Sequence, residues 1–323
     1  MRDYQKDELS PTQMRLHEKL RRDLGEPFLA ALHDPKTIEI MLNADGVIWQ
    51  ERLGEPMRRI GRMTATRAEA VLRTIAAYQD TTVARERPVL EGEFPLDGSR
   101  FAGQLPPVVS APTFAVRKKA VALFSLDQYV SNGTMTSEQK EVIHRAVRDH
   151  KNILVTGGTG SGKTTLTNAI INEMVLVNPE ERIVIVEDTG EIQCVAPNFI
   201  QYHTTLDVTL TQLLKTTLRM RPDRILVGEV RGPEALDLLM AWNTGHEGGV
   251  VTLHANSAKS ALDRLYMLVS MHPDSPASIE PLIAEAVHLI VHIVKTPAGR
   301  RVRDILGVAG YSAGAYITHT QLQ

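Results

Sequence analysis

The stretch Ile153-Leu154-Val155-Thr156-Gly157-Gly158-Thr159-Gly160-Ser161-Gly162-Lys163-Thr164-Thr165 decides how the rest of the chain is read. A β-branched run leads into Gly157-x4-Gly162-Lys163-Thr164, and helix-forming sequence follows from Leu166. A loop that wraps a polyphosphate must bring several backbone N–H groups close to its oxygens, which glycine permits. The helix that follows aims its positive N-terminal end at the same anion. Gly157, Gly158, Thr159, Gly160, Ser161, Gly162, Lys163, Thr164 and Thr165 are thus the candidate nucleotide cradle. Lys163 would reach the β- and γ-phosphates and the Thr164 hydroxyl would ligate Mg²⁺. A chance glycine-rich turn is the competing explanation. The full set of fixed positions, with strand before and helix after, argues against it.

The 323 residues suffice for about two domains of about 100–200 residues each. A hydrophobic content of 43% excludes a disordered or fibrous chain. The formal charge of −2 gives no general attraction to nucleic acid, so there is no direct sequence sign of nucleic-acid binding. Local basic clusters at residues 117–119 and at Arg300, Arg301 and Arg303 read as solvated turns or phosphate contacts. The one cysteine, Cys194, excludes an internal disulfide framework and a cysteine-based zinc site. It points to a reducing, cytoplasmic compartment. No stretch approaches the roughly 20 apolar residues that span a bilayer. Residues 1–8 have mixed charge and no apolar core, so no signal peptide is expected.

The chain is expected to form a small α/β N-terminal domain over 1–119, a connector over 120–135 and a P-loop domain over 136–323. Ser10-Pro11 opens a helix, a second short helix covers 27–32, and residues 37–43 and 47–52 flank Ala44-Asp45-Gly46 as a hairpin. Residues 66–78 read as an amphipathic helix, followed by short strands at 92–95, 100–105 and 114–117. A helix then starts at Thr136 or Ser137. Beyond it strands at 152–156, 182–187, 224–228 and 249–253 alternate with helices at 163–176, 210–219, 233–243 and 257–271. That alternation implies a mainly parallel sheet with right-handed crossovers. Residues 284–294 read as a strand or core helix, and 289–295 with 301–308 as an antiparallel hairpin.

Three further segments carry chemistry. Ile183-Val184-Ile185-Val186 delivers Glu187, Asp188 and Glu191 at a strand's carboxyl end, where open α/β sheets bind ligands. Glu191 or Glu187 could orient water or a Mg²⁺-bound water; helix capping or solvation is the alternative. Ile225-Leu226-Val227 ends in Gly228-Glu229, where most P-loop ATPases have an Asp-Glu pair, so Glu229 is the carboxylate left there. Glu229 is the first candidate for polarising water and Glu191 its competitor. Thr244-Gly245-His246-Glu247-Gly248-Gly249 precedes Val250-Val251-Thr252-Leu253-His254. His246 is the candidate γ-phosphate sensor at a strand mouth, with a purely structural histidine as the alternative.

Taken together, these four blocks resemble the secretion and traffic ATPase superfamily of type II and type IV secretion, pilus assembly and conjugation. Its marks are the P-loop, an acidic box, a strand ending Gly-Glu-x-Arg and a histidine box. Here they stand at 157–165, 187–191, 219–231 and 244–257, and the likeness covers nearly the whole chain. The short N-terminal domain and single cysteine make the type IV conjugal-transfer branch the nearest. Gly249 departs from many relatives, which carry serine there. The resemblance implies a RecA-like ATPase domain, ATP and Mg²⁺ as ligands, and a homohexameric ring with nucleotide held between the two domains. It also implies inner-membrane components of a secretion or conjugation machine as partners, with the ring peripheral at the cytoplasmic face. Arginines of the N-terminal domain contact phosphate in such proteins, and the matching candidates are Arg100 and Arg117. Thr164 and Glu187, partly through water, are the candidate Mg²⁺ ligands. Arg219 and Arg221 are candidates for action across subunits. The alternatives are a pilus or type II secretion ATPase and a nucleic-acid-stimulated hexameric motor.

Overall fold

The computed structural model describes residues 10–118, 124–205 and 207–322. The expected absence of a signal peptide over 1–8, the end of the N-terminal domain at Lys119 and the start of the connector at 120–123 lie outside the described residues. The chain divides into two units, Met1–Val121 and Ala122–Gln323.

In the first unit, α1 (Pro11–Leu24), α2 (Glu26–His33) and α3 (Ala65–Tyr78) accompany strands β1 (Thr37–Leu42), β2 (Val47–Arg52), β3 (Arg58–Arg62), β4 (Val89–Glu93), β5 (Arg100–Gln104) and β6 (Thr113–Arg117). Ser10 caps α1 reciprocally with Gln13, and Pro11 stands at the first helical position, where the N–H it lacks would have had no partner within the helix. The six strands form one sheet in the order β3-β2-β1-β6-β5-β4. Its core stacks Phe28, Phe94, Phe101 and Phe114 with ring centroids 5.8–6.1 Å apart. β3 was not expected: it carries a single large apolar residue, Ile60, and it lies at the sheet edge.

The second unit contains α4 (Leu126–Ser131), α5 (Ser137–Arg148), β7 (Ile153–Thr156), α6 (Lys163–Val177), β8 (Ile183–Glu187), β9 (Phe199–His203), α7 (Leu210–Thr217), β10 (Arg224–Glu229), α8 (Glu234–Trp242), β11 (Val250–Leu253), α9 (Ala258–Ser270), α10 (Ile279–Ala286), β12 (Leu289–Thr296), β13 (Gly299–Ser312) and β14 (Ala315–Leu322). α4, capped by Ser125 and Gln128, occupies part of the stretch read as connector. The sheet runs β14-β13-β12-β7-β11-β10-β8-β9. β12 through β9 are parallel in that order, and β12-β13-β14 continue antiparallel. β7, β8 and β11 are buried along their whole length, as parallel strands covered on both faces must be. No described helix is long and apolar enough to cross a membrane.

The amino ends of these strands are tied by polar side chains. Asn152 is fully buried; its Oδ1 accepts from the backbone N–H of Gly248 (2.8 Å) and Gly249 (3.0 Å), and its Nδ2 donates to the Ala286 carbonyl (2.7 Å). Its own N–H donates to Nδ1 of His288 at 2.9 Å. Arg224, also fully buried, pairs with Glu181 and donates to the carbonyls of Gly248 (2.9 Å) and Val147 (3.1 Å). The Asp223 carboxylate accepts from the Arg182 N–H at 2.7 Å, closing the turn before β10. Gly249 has no room for a side chain. A Cβ there would lie 2.2 Å from Nε1 of buried Trp242 and 2.3 Å from the Ile225 carbonyl oxygen to which that indole donates.

Candidate functional site

β7 ends at Thr156, and the 157–162 loop turns the chain into α6. Gly162 caps that helix at φ 99°, a left-handed conformation that an L side chain adopts only with strain. The loop follows the carboxyl end of β7. The same rim receives Glu187 from β8, Glu229 from β10 and His254 just after β11.

Lys163 is 8% exposed. Its Nζ donates to the Gly158 carbonyl at 3.3 Å and lies 3.2 Å from Nδ1 of His254. His254 Nε2 is in turn 3.0 Å from Oε1 of Glu229. Burial pushes the His254 pKa down, the Lys163 charge adds to that, and Glu229 opposes it, so the imidazole stays neutral below its ordinary range. Glu229 Oε2 accepts from Nε of Arg231 at 2.7 Å, and that guanidinium also lies 3.6 Å from Asp188 Oδ2.

The acidic segment after β8 divides its work between two glutamates. Glu187 is 2% exposed. Its Oε2 accepts from the backbone N–H of Glu191 (2.9 Å) and Ile192 (3.1 Å), while its Oε1 accepts from Gln201 and lies 3.5 Å from His203 Nε2. The Thr164 hydroxyl lies 3.3 Å from Oε2 of Glu191, which is the carboxylate on that side of the loop. Asn168 of α6 holds the segment in place, donating to the Glu191 carbonyl (3.3 Å) and accepting from the Gln193 N–H (3.1 Å). Glu187, expected as a Mg²⁺ ligand partly through water, holds the Glu191 loop with Oε2 and faces Gln201 and His203 of β9 with Oε1. Its body also accounts for Gly228: a Cβ at 228 would stand 2.8 Å from the Glu187 Cβ. The place of the missing aspartate is filled from the neighbouring strand.

His246 requires a correction. It precedes β11 and so lies at the amino ends of the strands, whereas the phosphate loop follows the carboxyl end of β7. The histidine beside Lys163 is His254, eight residues on. The sequence carried its signal, since it follows directly on the last residue of an apolar parallel strand. Arg231 and Asn168 were likewise not singled out for the site. Arg219 and Arg221 precede β10, exposed at the amino-end rim.

Arg100 and Arg117 belong to the first unit, where they face one another in register across β5 and β6. Glu39 of β1 stands opposite Arg117 on the other side. Burial raises the Glu39 carboxyl, and the charges of Arg117 and Arg100 pull it back. The structure therefore gathers these two cations at one end of one sheet.

Residues 57–310 match the family model described as type II/IV secretion system protein. The chain belongs to this family. Among its curated relatives, a probable conjugal transfer protein TrbB of Sinorhizobium fredii is 49% identical over 94% of this chain and 92% of its own length. The conjugal transfer protein TrbB of Rhizobium radiobacter is 47% identical over 97% of each chain. Among solved structures, the pilus retraction motor PilT with bound ADP shares the fold with a TM-score of 0.60 at 19% identity, covering 92% of this chain and 82% of that one. The ATPase DotB of Legionella pneumophila shares it with a TM-score of 0.57 at 21% identity, covering 85% and 77%. Family membership and these fold likenesses make the second unit a RecA-like P-loop domain preceded by an α/β N-terminal unit.

Proposed function

We propose that this chain is the ATP-hydrolysing motor of a type IV secretion apparatus of the conjugal-transfer kind, working as a homohexamer at the cytoplasmic face of the inner membrane. The observation that supports it best is the convergence of Lys163, Glu229 and His254 on the rim that carries the phosphate loop. The triphosphate lies on the N–H groups of 157–165, and Lys163 neutralises charge that develops on the transferred phosphoryl group. Glu229 orients the attacking water, with Glu191 as the competing carboxylate. His254, neutral, lies between Lys163 and Glu229, with one ring nitrogen beside the ammonium and the other beside the carboxylate.

Mg²⁺ fits the oxygens present: the Thr164 hydroxyl and the Glu191 carboxylate are adjacent, and hard oxygen donors are what this ion takes. Bound there, it would supply charge neutralisation at the phosphates. Arg100 and Arg117 act from the N-terminal unit as the cations that arrive when the nucleotide site closes.

Two measurements test the reading. Purified Lys163→Ala is expected to lose ATP hydrolysis, and near-normal turnover would refute the assignment. Donor cells carrying Lys163→Ala are expected to lose plasmid transfer with the protein at normal level. Unchanged transfer would instead assign the motor to pilus assembly or type II secretion. The charge balance disfavours a nucleic-acid motor, and strong stimulation of hydrolysis by single-stranded DNA would reinstate it.

A further inference from the structure

The antiparallel turn between β12 and β13 carries a cation to the phosphate loop from outside the motif. β12 pairs in parallel with β7, so the β12–β13 hairpin leaves the sheet on the rim where the 157–162 loop begins. Thr296 closes the turn by donating its hydroxyl to the Gly299 carbonyl at 2.8 Å. Arg300, the next residue, folds back over Gly162. A Cβ built on that glycine would lie 2.8 Å from the Arg300 Cδ and 3.2 Å from its Nε. The loop's last glycine is required by its positive φ, and its bare Cα leaves the space over which the Arg300 side chain folds. On the other side the Arg300 charge is felt by the Tyr129 hydroxyl, whose pKa burial raises and Arg300 pulls back.

The electrostatics of this placement are unfavourable without an anion. Gly162 is the N-cap of the 15-residue α6, whose unpaired N–H groups present partial positive charge. Lys163 adds a full charge one residue later. Arg300 makes no ion pair with a carboxylate among the described residues, and it is exposed rather than buried in a structural network. The helix end and Arg300 converge with no carboxylate paired to the arginine among the described residues, while the Lys163 ammonium is already held by Gly158 and His254. A phosphate chain on the loop is the ligand that relieves them, and the planar guanidinium is the side chain best matched to paired phosphate oxygens. Successive residues of a strand point to opposite faces, so Arg301 is directed away and serves as a control.

We propose that Arg300 is a phosphate-binding residue of the nucleotide site, closing on the diphosphate from the β12–β13 hairpin. This rests on reading 157–165 as a nucleotide cradle. The contact is made by ADP as well as ATP, so it sets affinity rather than the chemical step.

The test is displacement of fluorescently labelled ADP from the purified full chain by ADP and by inorganic pyrophosphate, with Arg300→Gln, Arg300→Lys and Arg301→Gln compared. Arg300→Gln is expected to weaken both competitors about tenfold, to flatten the salt dependence of binding and to leave the unfolding midpoint unchanged. Arg300→Lys, which keeps the charge without the fork, is expected to fall between, and Arg301→Gln to match the wild type. Equal affinities for the wild type and Arg300→Gln would overturn the assignment. So would weakened ADP with undiminished pyrophosphate, which would place Arg300 on the base or ribose. A wild-type chain that binds neither competitor would refute the nucleotide cradle itself, a failure distinct from that of Arg300.

Discussion

Lys163, His254 and Glu229 form a chain of contacts in which the middle member has a depressed pKa, and this fixes how activity depends on pH. His254 is held neutral by burial and by the Lys163 charge. Protonation therefore begins only below its ordinary value of 6.5 and sets positive charge beside Lys163. The acid limb of the rate–pH profile is expected below pH 6.5, and His254→Gln is expected to remove that limb while lowering kcat by about 10²-fold. An unchanged limb in a steady-state profile of His254→Gln would assign it to another group. Gly249 invites a different substitution. Serine there meets the Trp242 indole and the Ile225 carbonyl, so Gly249→Ser is expected to cost about 1–3 kcal/mol in a urea melt. Pairing it with Trp242→Leu should return part of that loss, because it removes the ring but not the Ile225 carbonyl. The indole and the carbonyl together account for the glycine at this position.

At the scale of elements, β7, β8, β10 and β11 were legible because each is a short apolar run alternating with helix-forming sequence. The 157–165 loop was legible because its glycines and Lys163 stand in fixed order between β7 and α6. β3, β9 and β14 were not. They lie at sheet edges, where one flank is unpaired and the sequence is free to be polar, as in Arg58-Arg59-Ile60-Gly61-Arg62. The histidine of the site was misplaced for a related reason. Spacing along a chain does not say which end of a parallel strand faces the ligand; the direction of β7 does. The same elements predict opposite behaviour for two charged groups. Arg224 is fully buried and paired with Glu181 between β8 and β10. Glu181→Ala is therefore expected to destabilise the chain by about 3–5 kcal/mol, read from the shift in chemical unfolding. Arg117 is exposed at the end of β6. Arg117→Ala is expected to leave the unfolding transition in place and lower ATP turnover, and early melting would make it structural instead.

Across the whole molecule, His17, His254, His288 and His292 all have depressed pKa values, each chiefly through burial. The unfolded chain therefore takes up protons from about pH 6.5 downward before the folded chain does. Stability is fully present above pH 6.5 and is lost as pH falls through the folded values. Melting temperatures at pH 8, 7, 6 and 5.5 are expected to be level at first and then to fall. A chain more stable at pH 5.5 than at pH 7 would contradict this sign. His288 gives the trend a structural form, because the nitrogen that accepts from the Asn152 N–H is lost as an acceptor on protonation. Asn152 itself binds Gly248, Gly249 and Ala286 with one side chain, stitching β7 to the segments that lead into β11 and β12. One buried amide therefore holds three segments at this rim, so a force sliding β7 past β11 or β12 must break its bonds together rather than one at a time.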